Sequence, residues 1–382
     1  MNILIYLPNI SKSSGGIFQY SYGIVKTLLE DKTNSYFIYN DYLEFKKLVS
    51  AKTNFTILKP IIEKQNKNRL ISRLIKRFSK PQKSNFEKLL EQKKIDIIHS
   101  PTQQSPNVKT PTIVTMHDVQ ELHFPEFFSS KEREYRAINH RKSIEKSTKV
   151  IVSYEHIKQD LLNFFDVSTN NIKVILLKMD NLWFEKFIEK KNQLNLISDQ
   201  YILYPAATWQ HKNHLSLLKA IKLLKETGKL DFKLICTGAK KDFFHNVIEP
   251  FIKENSLQKD VEFRGIVSDE ELYNLYNSAK AVVVPTLYEA GSFPLMESIL
   301  MKVPVICSNT TSLPATIDND SFVFDPLNYE DIANKTLAIT HDELFRELNI
   351  QNSKRVENKL KNKNVCNLFL KEYNNIIKEI NA

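Results

Sequence analysis

The segment AVVVPTLYEAGSFPLMESILM, residues 281–301, indicates the fold of this chain most clearly. It opens with an apolar run, 281–285, that shows no alternation of polar and apolar residues, as in strands buried on both faces of a parallel sheet. A polar loop containing Gly291 follows, and Pro294 fits the first turn of a helix over 294–301. The stretch therefore predicts a strand, a loop and a helix, which is the repeating unit of an α/β fold.

The same unit recurs on both sides of this stretch. Short runs rich in Ile and Val alternate with helix-period segments such as 16–29, 215–227 and 269–278. Two series of such units imply two Rossmann-like, doubly wound α/β domains, predicted over 1–190 and 200–355 with the polar linker 189–200 between them. A helical stretch is predicted over 353–380. The predicted strands are 3–7, 35–39, 55–58, 95–99, 112–116, 150–153, 172–177, 201–205, 232–237, 261–264, 281–285, 304–308 and 321–324.

Composition excludes several other classes of protein. The chain has 382 residues, 42% hydrophobic and 26% charged, which is typical of a globular protein rather than a disordered one. Its seven glycines form neither a G-x-G-x-x-G nor a P-loop motif. Its three cysteines are far apart, which favours reduced core thiols in a cytoplasmic protein. The first residues, MNILIYLPN, indicate a strand rather than a signal peptide, and we expect no membrane span.

Positive charge is concentrated in one segment. The net charge is +10, and residues 64–94 hold eleven Lys or Arg against two Glu. Within it, 68–80 has an apolar stripe at helical spacing beside basic residues. Such a helix could lie on an anionic membrane, or it could pack on its own sheet with its basic face in water. Nucleic acid is not expected as a partner, because the interleaved residues are aliphatic rather than aromatic.

Ligands of open parallel sheets bind at the carboxyl ends of the strands, so the residues that follow each strand are the candidates. Gly15 and Gly16 follow the first strand and open a helix, where backbone amides can approach an anion or a sugar. A flexible turn is the alternative. His117 follows 112–116, and it is either a ligand-binding imidazole or a structural one.

The second series of strands carries charged candidates. Lys212 lies just before a helix and suits a phosphate group. The amides of Gly291, Ser292 and Phe293 lie at the mouth of the 294–301 helix. Glu289 and Glu297 flank those amides, and carboxylates beside an anion site are suited to binding sugar hydroxyls. The lone D-x-D at 318–320 is interpreted as a turn, and no metal site is predicted.

These motifs, in this order, resemble the retaining nucleotide-sugar glycosyltransferases of family 4, whose GT-B fold has two Rossmann-like domains facing across a cleft. The most specific part is the Glu-x7-Glu segment from Glu289 to Glu297, placed after VVVPTLY. The other matching segments are Gly15-Gly16, 112–128, Val152-Ser153 with Lys158 and Asp160-Leu161, 205–214, 264–298 and Asp325-Pro326.

The resemblance implies roles for the candidate residues. Lys212 would hold the donor diphosphate together with the amides at Gly291, Ser292 and Phe293. Glu297 would bind the ribose hydroxyls and Glu289 the sugar hydroxyls, while backbone near Gly265 and Ile266 would hold the base. His117 would contact the transferred sugar and the donor phosphate, and Gly15 and Gly16 would approach the diphosphate. The last helix, 360–382, would pack back on the N-terminal, acceptor-binding domain.

Four positions depart from the family pattern. Ala206 stands where many members have an Arg, and Ala290 and Ser292 replace glycines. Ala315 replaces a glutamate that often follows Leu-Pro. These changes remove charge and restrict the backbone at the predicted site.

The resemblance implies a retaining, metal-independent transferase that needs no cofactor. It would move a hexose, with GDP-mannose as the favoured donor substrate, to a glycan or lipid-linked glycan in bacterial surface polysaccharide synthesis. We expect a cytoplasmic location, with contact to the inner face of the membrane through 68–80. A non-catalytic nucleotide-sugar-binding scaffold and a GT-B sugar-nucleotide epimerase remain as alternatives.

Overall fold

The computed structural model describes residues 1–61, 83–177, 183–188, 200–361 and 364–381. The predicted basic helix 68–80 and the predicted linker, apart from residue 200, lie outside the described residues. The described strands are β1 Asn2–Tyr6, β2 Ser35–Tyr39, β3 Phe55–Leu58, β4 Ile97–Ser100, β5 Thr112–Thr115, β6 Lys149–Val152, β7 Ile172–Val174, β8 Tyr201–Pro205, β9 Lys233–Thr237, β10 Val261–Phe263, β11 Ala281–Val284, β12 Val305–Ser308 and β13 Val323–Phe324.

Helices lie between most of these strands. In chain order the described α-helices are α1 Gly16–Leu28, α2 Leu43–Val49, α3 Asn85–Gln92, α4 Gln120–His123, α5 Ser130–Lys146, α6 Glu155–Phe164, α7 Glu185–Ile188, α8 His214–Glu226, α9 Glu249–Glu254, α10 Asp269–Ser278, α11 Phe293–Met301, α12 Leu313–Ile317, α13 Tyr329–His341, α14 Glu343–Leu360 and α15 Val365–Asn381.

The chain divides into two compact units. Unit 1 comprises the described residues of Met1–Val119, Ser130–Leu177 and Lys363–Ala382, and unit 2 those of Gln120–Ser129 and Lys178–Asn362. Each unit is built on one parallel sheet, which confirms the predicted α/β class with two Rossmann-like domains.

Unit 1 contains a seven-stranded sheet in the order β3-β2-β1-β4-β5-β6-β7. The central strands β4 and β5 are buried at every residue, as in a parallel sheet covered on both faces, so that even polar residues such as His99 and Thr112 lie in the interior. Helix α15 packs its apolar face into the core of this unit, where Phe369 and Tyr373 lie among residues of β1, α1 and β2. The hydroxyl of Tyr373 is 2.7 Å from Nδ1 of the buried His99 at the end of β4.

Unit 2 contains a six-stranded parallel sheet in the order β10-β9-β8-β11-β12-β13. Gly238, just after β9, has a φ of 108°, and a Cβ there would lie 2.6 Å from the backbone N of Ala207. Only glycine allows this approach. The loops after β8 and β9 are therefore tightly packed against each other at the carboxyl edge of the sheet.

The structure refines the sequence predictions in two places. The helical stretch predicted over 353–380 is helical in the described residues and comprises two helices, since α14 buries Val356 and Leu360 in unit 2 whereas α15 buries its face in unit 1. The predicted first domain, 1–190, included Gln120–Ser129, which groups with unit 2. The rings of His123 and Phe124 pack against Tyr288 there, at centroid distances of 5.3 and 6.3 Å.

Candidate functional site

The loop after β11 is tied to the turn that precedes α8. The Thr286 hydroxyl and the Leu287 amide both donate hydrogen bonds to the carbonyl of His211, at 3.0 and 2.8 Å. The side-chain amide of Asn213, a residue in the left-handed region, donates to the carbonyl of Pro285 at 2.9 Å. These bonds fix the turn 210–212 beside the loop 286–292, so that residues 77 positions apart in sequence meet.

Lys212 and Glu289 form the central contact of this site. The Nζ of Lys212 lies 2.5 Å from Oε1 of Glu289, and their side chains are only 19% and 10% exposed. An ion pair this far from solvent is held in one geometry more firmly than a surface pair. The sequence predicted separate roles for the two side chains, and the structure places them in direct contact.

Helix α11 begins next to this pair. Its N-cap, Ser292, is 1% exposed, yet its side chain makes no capping hydrogen bond. Within the described residues, the Ser292 hydroxyl has no hydrogen-bond partner. Because the first amides of a helix have no intrahelical acceptor and carry the positive end of the helix dipole, this helix start favours an anionic or hydroxyl-rich ligand.

Glu297 lies one turn further along α11 and is only 5% exposed. Its Oε1 accepts a hydrogen bond from the indole N–H of Trp183 at 2.7 Å, and its Oε2 accepts one from the hydroxyl of Tyr276 at 2.8 Å. Burial raises the pKa of the Glu297 carboxyl, and these two hydrogen bonds oppose that rise. The carboxylate is thus held by two neutral donors.

Gly265 and Ile266 follow β10 at the same edge of the sheet. The carbonyl of Gly265 accepts a hydrogen bond from the amide of Gly238 at 2.7 Å, which joins the loops after β9 and β10. The side chain of Ile266 is 82% exposed. An apolar side chain so exposed beside a joined pair of loops can cover a planar ligand such as a base.

Unit 1 carries Gly15, Gly16 and His117. Gly15 has φ 58° and ψ −128°, a conformation essentially restricted to glycine, and it is the N-cap of α1. Gly16 is the first residue of that helix. The glycine pair is therefore a required turn that leads from β1 into α1, and it exposes backbone at the helix start.

His117 follows β5 in the same unit. Its Nε2 is 2.9 Å from the carbonyl of Pro101, and its ring meets the ring of Tyr20 edge-on at 4.7 Å. Burial lowers the pKa of His117, so the ring is neutral at pH 7. Because a carbonyl only accepts, the proton sits on Nε2 and Nδ1 is left as an acceptor.

The structure adds two residues that sequence reasoning missed, Trp183 and Tyr276. Trp183 belongs to no motif, and Tyr276 lies in the matching segment 264–298 but was given no role there. The Trp183–Glu297 contact spans 114 positions, so only the fold reveals it. Among the described residues, no group of three or more His, Cys, Asp or Glu side chains is arranged to hold a metal ion. The carboxylate of Asp318 instead pairs with Arg355 and Lys359, at 2.5 and 2.6 Å.

No helix in the described part of the chain is both long and apolar enough to pass through a bilayer.

Each of the two units matches a known protein family. Residues 186–356 match the family described as Glycosyl transferases group 1, and residues 15–176 match Glycosyltransferase Family 4. The chain is similar to O-antigen chain mannosyltransferase B of Escherichia coli, with 24% identity over 66% of this chain and 67% of the relative. It is 23% identical to the O-antigen chain mannosyltransferase RfbU of Salmonella typhimurium, over 85% of this chain and 87% of the relative.

Solved structures show the same fold. The HepE protein Alr3699 of Anabaena, solved in complex with UDP and glucose, aligns with a TM-score of 0.68 at 16% identity, over 97% of this chain and 98% of that one. The two family matches fall on the two α/β units described above, and together they cover most of the sequence. The chain therefore belongs to the family-4 glycosyltransferases, with a GT-B fold.

Proposed function

We propose that this glycosyltransferase moves a hexose, with mannose favoured, from a nucleoside-diphosphate sugar to a glycan or lipid-linked glycan. The observation that carries the proposal is the Lys212–Glu289 pair at 2.5 Å, largely buried beside the start of α11. It places a cation for phosphate and a carboxylate for sugar hydroxyls within one hydrogen bond of each other. The similarity to mannosyltransferases of Escherichia coli and Salmonella typhimurium supports mannose as the transferred sugar and O-antigen synthesis as the process.

When the donor binds, it replaces each partner of this ion pair. Its diphosphate binds Lys212, which leaves the Glu289 carboxylate to accept hydrogen bonds from the hexose hydroxyls. Breaking a largely buried pair without replacement would leave an uncompensated charge, so each group gains its new partner as it loses the old one. In this way the free protein keeps its two charged groups satisfied until the donor arrives.

Charge develops on the diphosphate as the bond from the anomeric carbon to its oxygen breaks. Lys212 and the amides of Gly291, Ser292 and Phe293 stabilise that charge, and the positive end of the α11 dipole adds to their effect. The sugar passes through an oxocarbenium-like state. The acceptor hydroxyl attacks the same face and passes its proton to the departing phosphate oxygen, so the anomeric configuration is retained. Because Lys212 and the amides neutralise the diphosphate charge, the proposed reaction needs no metal.

Other predicted residues complete the donor site. Glu297 binds the ribose hydroxyls, and backbone near Gly265 and Ile266 holds the base. From unit 1, the Nδ1 acceptor of His117 binds a hydroxyl of the transferred sugar, and backbone at Gly15 and Gly16 approaches the diphosphate. The Nε2–H···Pro101 bond supports this role, because it fixes which ring nitrogen is the acceptor.

We also propose that the enzyme works in the cytoplasm at the inner face of the membrane, on an acceptor of bacterial surface polysaccharide synthesis. The basic and apolar spacing of 68–80 supports the membrane contact. Binding to vesicles that contain anionic lipid, lost at high salt, is the expected result. Failure to bind such vesicles at low salt would contradict this part of the proposal.

The function is tested by incubating the purified protein with GDP-mannose and a lipid-linked glycan acceptor, with and without excess EDTA. We expect release of GDP, a new α-mannosyl linkage by NMR, and equal rates in both samples. An epimeric nucleotide sugar in place of GDP would show an epimerase. Tight GDP-mannose binding with no turnover on any acceptor would show a binding scaffold, and loss of activity in EDTA would contradict metal independence.

A further inference from the structure

The two donors that hold Glu297 differ in their position. Tyr276 lies on α10 and is fully buried, whereas Trp183 is half-buried. Among the described residues, no Lys, Arg or His lies within ion-pair distance of Glu297. A buried carboxylate without a cation is costly to maintain for structural reasons alone, which points to a ligand that uses it.

Trp183 is held by its neighbours along α10. Its ring centroid lies 6.4 Å from that of Tyr276, and Phe187 stacks on Tyr273 at 5.4 Å. Lys186 forms an exposed ion pair with Asp269 at 2.8 Å. An exposed pair contributes little to stability. The described segment 183–188 therefore contacts α10 through its rings and this ion pair, and Phe184 within it is buried.

A ribose hydroxyl can replace an indole N–H as a partner of a carboxylate, since each donates one charge-assisted hydrogen bond. The indole of Trp183 already occupies Oε1 of Glu297 at 2.7 Å. Because Trp183 is the more exposed of the two hydrogen-bond donors, we expect a ribose that reaches this 5% exposed carboxylate to replace Trp183 rather than Tyr276. Exchange of one donor for the other keeps the carboxylate satisfied throughout, whereas removal of Trp183 without a substitute would not.

We propose that the indole N–H of Trp183 occupies, in the free protein, the place on Glu297 that a ribose hydroxyl of the nucleotide takes in the complex. Nucleotide binding then displaces Trp183 from Glu297. This inference rests on the proposed function, since it takes Glu297 as the ribose-binding group. Trp183 thus competes with the nucleotide for Glu297 and tunes the affinity for the nucleotide. Tyr276 keeps its hydrogen bond to Glu297 in the complex.

The direction in which one substitution changes the Kd for GDP tests this exchange of hydrogen-bond donors on Glu297. Trp183→Phe keeps an aromatic ring but removes the N–H that competes for Glu297, so we expect the Kd for GDP to fall roughly threefold to tenfold. Tyr276→Phe removes the hydroxyl that stays hydrogen-bonded to Glu297 in the complex, so the Kd of this variant for GDP should rise. If Trp183→Phe leaves the Kd for GDP unchanged or raises it, Trp183 is not a competitor and the proposal is overturned.

A second measurement leaves Trp183 unchanged. The chain has two tryptophans, so Trp209→Phe makes Trp183 the single fluorescent indole. We expect saturating GDP to shift its emission to longer wavelength, and 2′,3′-dideoxy-GDP, which lacks both ribose hydroxyls, to bind without that shift. GDP binding seen by calorimetry with no change in emission would overturn the exchange alone. Absence of any nucleotide binding by calorimetry would overturn the proposed function together with it.

Discussion

The two units have the same sheet order over six strands but carry different chemistry at the carboxyl ends of those strands. In each unit the chain runs outward from the first strand through the second to the third, then returns to the other side for the fourth, fifth and sixth. Unit 1 presents a glycine pair and a neutral imidazole, whereas unit 2 presents a largely buried ion pair and a buried carboxylate. The comparison teaches that topology fixes where a ligand can bind, and the loop residues decide which one.

The largest expected effect comes from removing one partner of the ion pair in unit 2. Glu289→Ala should lower kcat/KM by roughly 30- to 1,000-fold, or about 2–4 kcal/mol, on the scale of a lost transition-state hydrogen bond. The surface pair Lys222–Glu226, with its N–O distance of 3.6 Å on α8, supplies the matched control. Steady-state kinetics should show Glu226→Ala within twofold of the wild type. Equal losses of kcat/KM in both variants would show that the Lys212–Glu289 pair matters no more for catalysis than a surface ion pair.

Acid stability compares the cores of the two units. Burial lowers the pKa of His99 in unit 1 and of His214 in unit 2 to about 3, and Lys212 adds to the effect on His214. Both rings are neutral in the folded protein while the unfolded chain binds protons below pH ~6.5. Stability is therefore lost as pH falls, by about 2 kcal/mol for each histidine between pH 6.5 and 5.

Urea unfolding at pH 6.5 and pH 5, followed by circular dichroism, measures this loss. His99→Gln and His214→Gln should each reduce the difference between the two pH values. The exposed His245 serves as the control, since its replacement by Gln should leave the difference unchanged. A pH response that neither buried variant reduces would contradict the linkage.

His117 tests what unit 1 contributes to catalysis. If Nδ1 binds a sugar hydroxyl, His117→Ala should lower kcat about tenfold, or about 1.4 kcal/mol, which is less than the loss at Glu289. Burial lowers the pKa of His117, so the neutral, active form persists down to more acidic pH than for an exposed histidine. Turnover measured with GDP-mannose checks this prediction, and an unchanged kcat would assign His117 a structural role only.

The smallest effect is expected at Ser292. A capping Ser contributes about 1 kcal/mol to stability, but the Ser292 side chain makes no capping hydrogen bond. Ser292→Ala should therefore change the free energy of unfolding by less than about 0.5 kcal/mol. Ser268, whose side chain accepts from the amide of Glu271 at 3.1 Å at the start of α10, is the control, and Ser268→Ala should cost about 1 kcal/mol. Denaturant titration that ranks the two variants in the opposite order would refute the difference.

Much of the fold follows from local sequence. Strands β2, β3 and β8 have the predicted bounds. The first two are short runs with polar residues on both sides, and β8 begins after the polar Gln200 and ends at Pro205. The start of α11 lies within one residue of the prediction from Pro294. The helical stretch predicted over 353–380 is helical, but the break between α14 and α15 was not predicted, because helical periodicity does not tell which core each part of the segment joins.

The site is only partly predictable for a related reason. The positions of Lys212, Glu289 and Glu297 after strands or on the helix that follows were evident from the sequence, because parallel sheets gather such residues at one edge. The Lys212–Glu289 contact and the Trp183–Glu297 bond depend on tertiary packing over 77 and 114 positions. No local pattern encodes such pairs.

The central claim is that unit 2 holds the donor diphosphate through Lys212. Calorimetric titration of GDP into the wild type, Lys212→Ala and Lys222→Ala tests it most directly. We expect a Kd roughly 10- to 100-fold higher for Lys212→Ala, the scale of a lost hydrogen bond to a charged group, and a Kd within twofold of the wild type for Lys222→Ala. Wild-type affinity in Lys212→Ala would contradict it.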